Sequence, residues 1–264
     1  SIIPYSILVG RKRGMSKDIA HLLEEWEYDP EETIRFIEGD RGRQLLQVRR
    51  HLGIEQYELE GRPDGARPFD RESVLDEIES RLSKFVEANG EDGGYSIDHE
   101  DFGLLQDEGI LYYLRYLALF QIGDYERTSK DTQHNLRLCN IVERYCTNKE
   151  DRMSLLQYKP YILRVNALSR SMLHLGKNEK KEALSVLRAA IEEIESASPV
   201  STSVFRYERE KSIEQLKGTL EQLATYKVGP LEQLEAEFDD AVEFEDYERA
   251  VILRDKIHRL KDSG

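Results

Sequence analysis

The sequence predicts a mainly helical protein with a small β-meander near its N-terminal end and a paired-helix segment at its C-terminal end. Three observations carry that prediction. From about residue 70 onward, apolar residues recur three and four apart, the period of a helix with one buried stripe. Between residues 33 and 60, short stretches alternate polar and apolar and are separated by Gly-rich turns. Gly229-Pro230 then punctuates the chain, and two further amphipathic stripes follow it. This divides the chain into residues 1–14, an extension; 15–69, a small α+β region; 70–228, a helical body; and 229–264, a helical hairpin. Hydrophobic residues at 39% and charged residues at 34% suit helices with a wide solvated face. The 14 Tyr and 8 Phe argue against disorder throughout, since they need a core.

At the front, Met15-Ser16-Lys17-Asp18 reads as a natural start, and Ile2 to Val9 precedes the basic Arg11-Lys12-Arg13, the reverse of a secretory signal. Ser16 can cap a short helix through Glu25 with Ile19, Leu22, Leu23 and Trp26 as its stripe. Strands are expected over Thr33–Glu38, Gln44–Arg50 and Ile54–Glu60, although the middle stretch also fits a helix. Gly61-Arg62-Pro63-Asp64-Gly65 is turn chemistry: Pro fixes φ, Asp bonds nearby amides, and Gly accepts positive φ. Arg62, Asp64 and Arg67 would be the residues of a loop site there.

In the body, Asp70 is expected to cap a helix carrying Val74, Leu75, Ile78, Leu82 and Phe85, which Glu91-Asp92-Gly93-Gly94 ends. Asp98 opens a long helix to Ile122, followed by helices over Glu126–Tyr145, Ser154–Leu175, Lys180–Ser196 and Val204–Tyr226. The Gly123-Asp124-Tyr125 turn and Ala183-x-x-x-Leu187-x-x-Ala190 resemble the tetratricopeptide repeat. Thr128 stands where that repeat has Ala, and no Pro closes the unit after Tyr145. A tetratricopeptide-like stack and a generic helical bundle therefore both stay open.

The last segment reads as two amphipathic helices with a corner near Phe244 to Asp246. The first presents Leu231, Leu234, Phe238, Ala241 and Val242; the second presents Tyr247, Ala250, Val251, Leu253, Ile257 and Leu260. Ala241 and Ala250 allow close approach, and neither helix alone buries its stripe. Tyr247-Glu248-x-Ala250-x-x-x-Arg254-Asp255-x-Ile257 resembles the UVR motif found in the B and C components of bacterial excinucleases. That resemblance implies a hairpin for protein–protein association, including self-association, and the motif also occurs in adaptors of Clp-type proteases. The protein-binding residues it implies are Leu234, Phe238, Ala241, Val242, Tyr247, Glu248, Ala250, Val251, Leu253, Arg254, Asp255 and Ile257. Arg254 and Asp255 point to different helix faces and are expected to pair across the hairpin or an interface rather than with one another. Residues 15–70 also resemble the front half of uncharacterised bacterial proteins ending in this motif, on Gln47-Val48-Arg49, Leu52-Gly53-Ile54-Glu55-Gln56 and Gly61 to Gly65; no activity comes with it.

Several chemistries lack their residues. No His-x-x-x-His or Cys-x-x-Cys spacing exists for zinc, no Gly-x-x-x-x-Gly-Lys-Ser/Thr for nucleotide phosphates, and no Gly-x-Ser-x-Gly for a hydrolase. No cofactor or metal is therefore expected. The B component of the excinuclease is ATP-dependent, and this chain has no loop for that nucleotide. Net charge of −14 sets the whole surface against direct nucleic-acid binding, with Arg11-Lys12-Arg13 and Arg41, Arg43, Arg49 and Arg50 the candidate basic patches. Cys139 and Cys146 lie about two helical turns apart, too far for a disulfide, which points to a reducing, cytoplasmic setting. No stretch of roughly 20 apolar residues is available to span a membrane as a helix. Tyr112, Tyr113, Tyr116 and Phe120 on one helix invite either core packing or a ligand groove.

These features point first to a non-catalytic adaptor that docks protein partners through the terminal hairpin, with self-association a further outcome. A second reading is an accessory of nucleotide excision repair that reaches DNA through an excinuclease protein. A third is an enzyme using the N-terminal region. The expected natural start at Met15 is checked by intact mass of the endogenous protein; a mass that includes residues 1–14 overturns it.

Overall fold

The computed structural model describes residues 18–225, 234, 237–238, 241–242 and 246–262. Expectations for Ser16, for Arg11 to Arg13, for the 1–14 extension and for Leu231 lie outside the described residues. The chain divides into two compact units, residues 1–67 and 68–264.

In the first unit, α1 (Ala20–Glu25) precedes three strands, β1 (Ile34–Glu38), β2 (Gln44–Arg50) and β3 (Gly53–Glu58). They form an antiparallel meander in the order β1-β2-β3, with Leu46 opposite both Phe36 and Tyr57. The middle stretch, which also fitted a helix, is the central strand. It buries Leu45, Leu46, Val48 and Arg49, so both of its faces are covered. The expected helical stripe of α1 is not a buried one: Ile19 and Leu22 are exposed and no residue of the helix is buried. A helix of six residues is too short to stand on propensity. Its end is fastened instead through Trp26, whose carbonyl accepts from Arg49 Nε at 2.7 Å and whose ring lies 4.0 Å under the Arg35 guanidinium.

The second unit is helical. It runs α2 (Val74–Asn89), α3 (His99–Gln121), α4 (Tyr125–Tyr145), α5 (Lys149–Leu156), α6 (Lys159–Gly176), α7 (Lys180–Ser196) and α8 (Ser203–Thr225), and ends with α9 (Tyr247–Asp262). Side-chain caps start most of them: Asp98 accepts from Asp101 N, Asp124 from Arg127 N, and Asn148 from Glu150 N and Asp151 N. Asp70 does not cap α2. It sits in the left-handed region at φ 58°, whereas Ser73 has the extended backbone a cap requires and accepts from Asp76 N at 3.0 Å. The helix expected over Ser154–Leu175 is two helices broken at Gln157-Tyr158. Pro160 explains the break, because it has no N–H to donate into a continuing helix and is tolerated only in a first turn.

The long helices pack on one another: α3 on α4, α4 on α6 past the short α5, α6 on α7, and α8 on both α6 and α7. One core joins Val74, Leu75 and Ile78 to Phe102, Leu105, Leu138 and Val142. Another joins Leu163 and Ala167 to Leu187, Ile191, Ile194 and Leu216. Between them, α4 carries a buried polar seam. Arg115 donates to Asp131 from Nε at 2.8 Å and Nη2 at 2.6 Å, with both side chains buried. Asn166 Nδ2 donates to Thr132 Oγ1 at 3.0 Å, linking α4 to α6. Thr128, the residue standing in place of the repeat's Ala, is fully buried and donates to the Asp124 carbonyl at 2.7 Å.

Glu108 is the most consequential polar group in this packing. It is 0% exposed and accepts from Val74 N at 2.7 Å, Leu75 N at 3.1 Å and His134 Nε2 at 3.1 Å. The free N–H groups at the start of α2 are thus satisfied by a side chain of α3, held by one of α4. Burial pushes this carboxyl upward, but the hydrogen bonds from His134, Val74 and Leu75 outweigh it and leave it below the ordinary value of 4.5. Glu108→Ala strands three buried donors, Val74 N, Leu75 N and His134 Nε2, and should lower unfolding free energy by about 3 kcal/mol in chemical denaturation, with Glu108→Gln losing less. Because the folded value is depressed, the Glu108 contribution is complete above pH 4.5 and is lost as pH falls through the folded value. The gap between wild type and Glu108→Gln should therefore narrow on acidification; a gap independent of pH would refute this account.

Candidate functional site

The C-terminal hairpin is built from a seam and an outer surface. Leu234, Glu237, Phe238, Ala241 and Val242 are helical, and α9 follows the corner. The corner is closed by Asp246, whose N–H donates to the Ala241 carbonyl at 2.8 Å and whose Oδ1 accepts from Arg249 N at 3.1 Å. Asp246 is thereby the cap of α9, the kind of residue a helix start selects. Ala241, Ala250 and Leu253 form a buried cluster with Leu234 and Phe238 packed against it, and Ile257 is buried one turn on. Two alanines facing one another let the arms approach closely, as the sequence implied.

The rest of the expected stripe is not in that seam. Tyr247 is 64% exposed, and Val242, Val251 and Leu260 are also exposed, as is Ile252 beside them. The reason is angular: Ala250, Leu253 and Ile257 follow the three-and-four spacing of one face, and Tyr247 and Val251, one turn apart, stand beside it. Glu248 is exposed as well. Arg254 and Asp255 also depart from expectation. Neighbours though they are, Arg254 Nη2 lies 3.3 Å from Asp255 Oδ1, both exposed, because a long guanidinium stem can curl back to an adjacent carboxylate. Among the described residues, Arg249 pairs across the hairpin with Glu237 at 3.5 Å, also in solvent and worth little.

The other candidate residues fall in the first unit. Arg62 Nε donates to Asp64 Oδ1 at 2.9 Å, and the same oxygen accepts from Ala66 N at 3.0 Å. Partial burial opposes ionisation of Asp64, but Arg62 and the Ala66 N–H hold its carboxyl below the usual range. Gly65, at φ 71°, donates its N–H to the Arg62 carbonyl, and the Pro63 carbonyl accepts from Glu58 N on β3. Arg62 and Asp64 thus serve a turn fastened to the sheet; Arg67 is exposed. The basic cluster disperses in the same way: Arg43 pairs with Glu58, Arg50 with Glu55 at 2.9 Å, and Arg49 is buried.

Both cysteines are free and buried. Burial pushes the Cys139 thiol up to about 12, and that of Cys146 also upward, so neither is a thiolate near neutrality. Among the described residues no group of His, Cys, Asp and Glu is placed to hold a metal ion, and no helix is long and apolar enough to cross a membrane.

The geometry defines a helical protein with a small antiparallel sheet and a C-terminal helical hairpin that keeps apolar side chains outside its own seam. Residues 230–263 match the family described as "UvrB/uvrC motif". No curated protein and no solved structure matches the chain.

The seam is testable by itself. Ala250→Leu places a large side chain where two helices meet and should cost the hairpin about 1–3 kcal/mol. Hydrogen exchange should accelerate across residues 247–262 and stay unchanged in α3 and α4; unchanged exchange in α9 would show that the seam does not hold the hairpin.

Proposed function

We propose that the protein is a non-catalytic adaptor or scaffold that docks a protein partner through its C-terminal hairpin. The observation that carries this reading is the division of the hairpin's apolar residues. Ala241, Ala250 and Leu253 satisfy the fold of the hairpin, so Val242, Tyr247 and Val251 are held in water without an internal need for them. Exposed aromatic and branched residues beside a charged rim, here Glu248, Arg254 and Asp255, suit a protein interface better than a polyanion. The match of residues 230–263 to a motif named for excinuclease proteins supports interaction as the role.

The helical body supplies a second surface. The long helices α3, α4, α6 and α7 stack in succession, Gly123 takes φ 77° in the turn between α3 and α4, and Ala183, Leu187 and Ala190 are buried on α7. These support a tetratricopeptide-like arrangement of the body.

A repair accessory is the second reading, favoured by the motif itself. Contact with DNA would then run through the partner, since Arg43, Arg49 and Arg50 are engaged within the first unit. Self-association of two hairpins through the same exposed residues is a further form of the same interaction.

The test is capture of partners from native lysate by the full chain, by a chain ending at Lys227, and by Tyr247→Asp/Val251→Asp. Loss of excinuclease proteins in both variants supports the repair reading, and loss of another complex supports the adaptor reading. The double variant should reduce capture at least about tenfold while leaving the melting temperature of the body unchanged, as expected for hot-spot residues on a surface. Identical capture by all three chains would sink the hairpin's role.

A further inference from the structure

The body holds a cleft that the hairpin reading does not use. It has a volume of 570 Å³, within the range of small-molecule sites, and lies among α3, α4, α5, α6 and α8. Ile110, Tyr113, Tyr158 and Tyr161 line it, and the first three are exposed, so large apolar side chains ring a hollow instead of filling a core. The Tyr113 ring meets the Tyr161 ring edge to face at 6.1 Å and the Tyr116 ring at 5.5 Å. Three rings thus make one corner, and a further aromatic ring gains most from stacking or edge contact of this kind.

The polar atoms open to this cleft carry no charge. Among the described residues, the hydroxyls of Tyr113, Tyr158 and Tyr161 have no hydrogen-bond partner. Gln106 Nε2 donates to Ser154 Oγ at 3.2 Å, and Gln157 Nε2 donates to the Ser154 carbonyl at 2.9 Å. Ser154 spends its own proton on the Asp151 carbonyl, so both of its oxygens act as acceptors and fix the two amides. Each glutamine keeps its Oε1 as a spare acceptor on the cleft wall. These oxygens meet solvent, unlike Asn135 Oδ1 and Glu208 Oε2, which are sealed beneath the wall.

The charges nearby are already matched. Glu208 pairs with Arg164 at 4.0 Å, both largely buried, and the Arg164 guanidinium lies 4.9 Å from the Tyr161 ring on which it stacks. Among the described residues no Lys, Arg or His lines the cleft. A charged ligand would lose hydration here and find no counter-charge, whatever its sign.

We propose that this cleft binds an uncharged aromatic compound bearing a hydrogen-bonding group such as an amide. Its ring stacks in the corner of Tyr113 and Tyr161 beneath the Tyr158 rim, phenol hydroxyls donate to its carbonyl, and the glutamine Oε1 atoms accept its N–H groups. Selection against both cations and anions of the same shape follows from the cost of bringing an unpaired charge into the cleft.

Calorimetric titration of the full chain near neutral pH with three indoles of one shape tests this. Indole-3-acetamide should bind with a dissociation constant on the order of 0.1 mM, as its size allows. Tryptamine, a cation, and indole-3-acetate, an anion, should each bind at least about tenfold more weakly. Tyr113→Leu and Tyr158→Leu keep apolar bulk on the exposed rim and remove the ring and hydroxyl; each should weaken the amide several-fold without moving the melting temperature. Failure of the amide to saturate, either charged analogue inside the tenfold margin, or an amide affinity changed by neither rim variant overturns the proposal.

Discussion

The helical body depends on a buried carboxylate. Glu108 of α3 takes the two leading N–H groups of α2 and the imidazole of His134 on α4, so three helices share one polar node. A carboxylate with no exposure to solvent survives only when such donors replace its hydration. Tyr112 lies flat on His134 at 3.8 Å and Arg115 sits over Tyr112 at 5.1 Å, which ties the node to the Arg115–Asp131 pair a turn along. Apolar packing around Leu75, Ile78, Leu105 and Leu138 supplies cohesion. The polar node supplies register, because hydrogen bonds are directional and a slipped helix would leave buried charge unpaired.

The same division between cohesion and register runs through the rest of the body. The α4–α6 contact adds the Thr132–Asn166 hydrogen bond to the apolar packing of Leu136 and Cys139 near Ile162 and Leu163. Pro160 ends the possibility of one helix across 154–175 and turns the chain into α6. That break places Tyr158 and Tyr161 opposite Tyr113 of α3, forming the aromatic cleft from separate helices.

In the hairpin, small residues and large ones have separate tasks. Ala241 and Ala250 bring the arms together, and Leu253 and Phe238 close the seam. Tyr247 and Val251 stand beside it on the outer surface of α9. A helix sixteen residues long with so narrow a seam retains apolar area on its flank, which is a property an interaction module needs and a purely structural hairpin does not.

The sequence by itself determined the elements whose signals are local. The cap at Asp98, the turn at Gly123-Asp124-Tyr125 and the spacing of Ala250, Leu253 and Ile257 each act within a few residues, so periodicity and capping chemistry reveal them, whereas the stretch around Leu46 and Val48 fitted strand and helix alike until its two neighbours paired with it. The cap of α2 was open to misreading because Asp70 and Ser73 are both good caps, and only backbone angles separate them. Tertiary structure alone decided the rest. Glu108 is one carboxylate among many until α2 and α4 close around it, and Arg43, Arg49 and Arg50 form a basic cluster in sequence that strand pairing disperses. Which apolar residues of the hairpin face inward depends on the azimuth of the partner arm. The cleft likewise comes from helices far apart in the chain, because burial and hydrogen-bond partnership are properties of space that linear spacing does not encode.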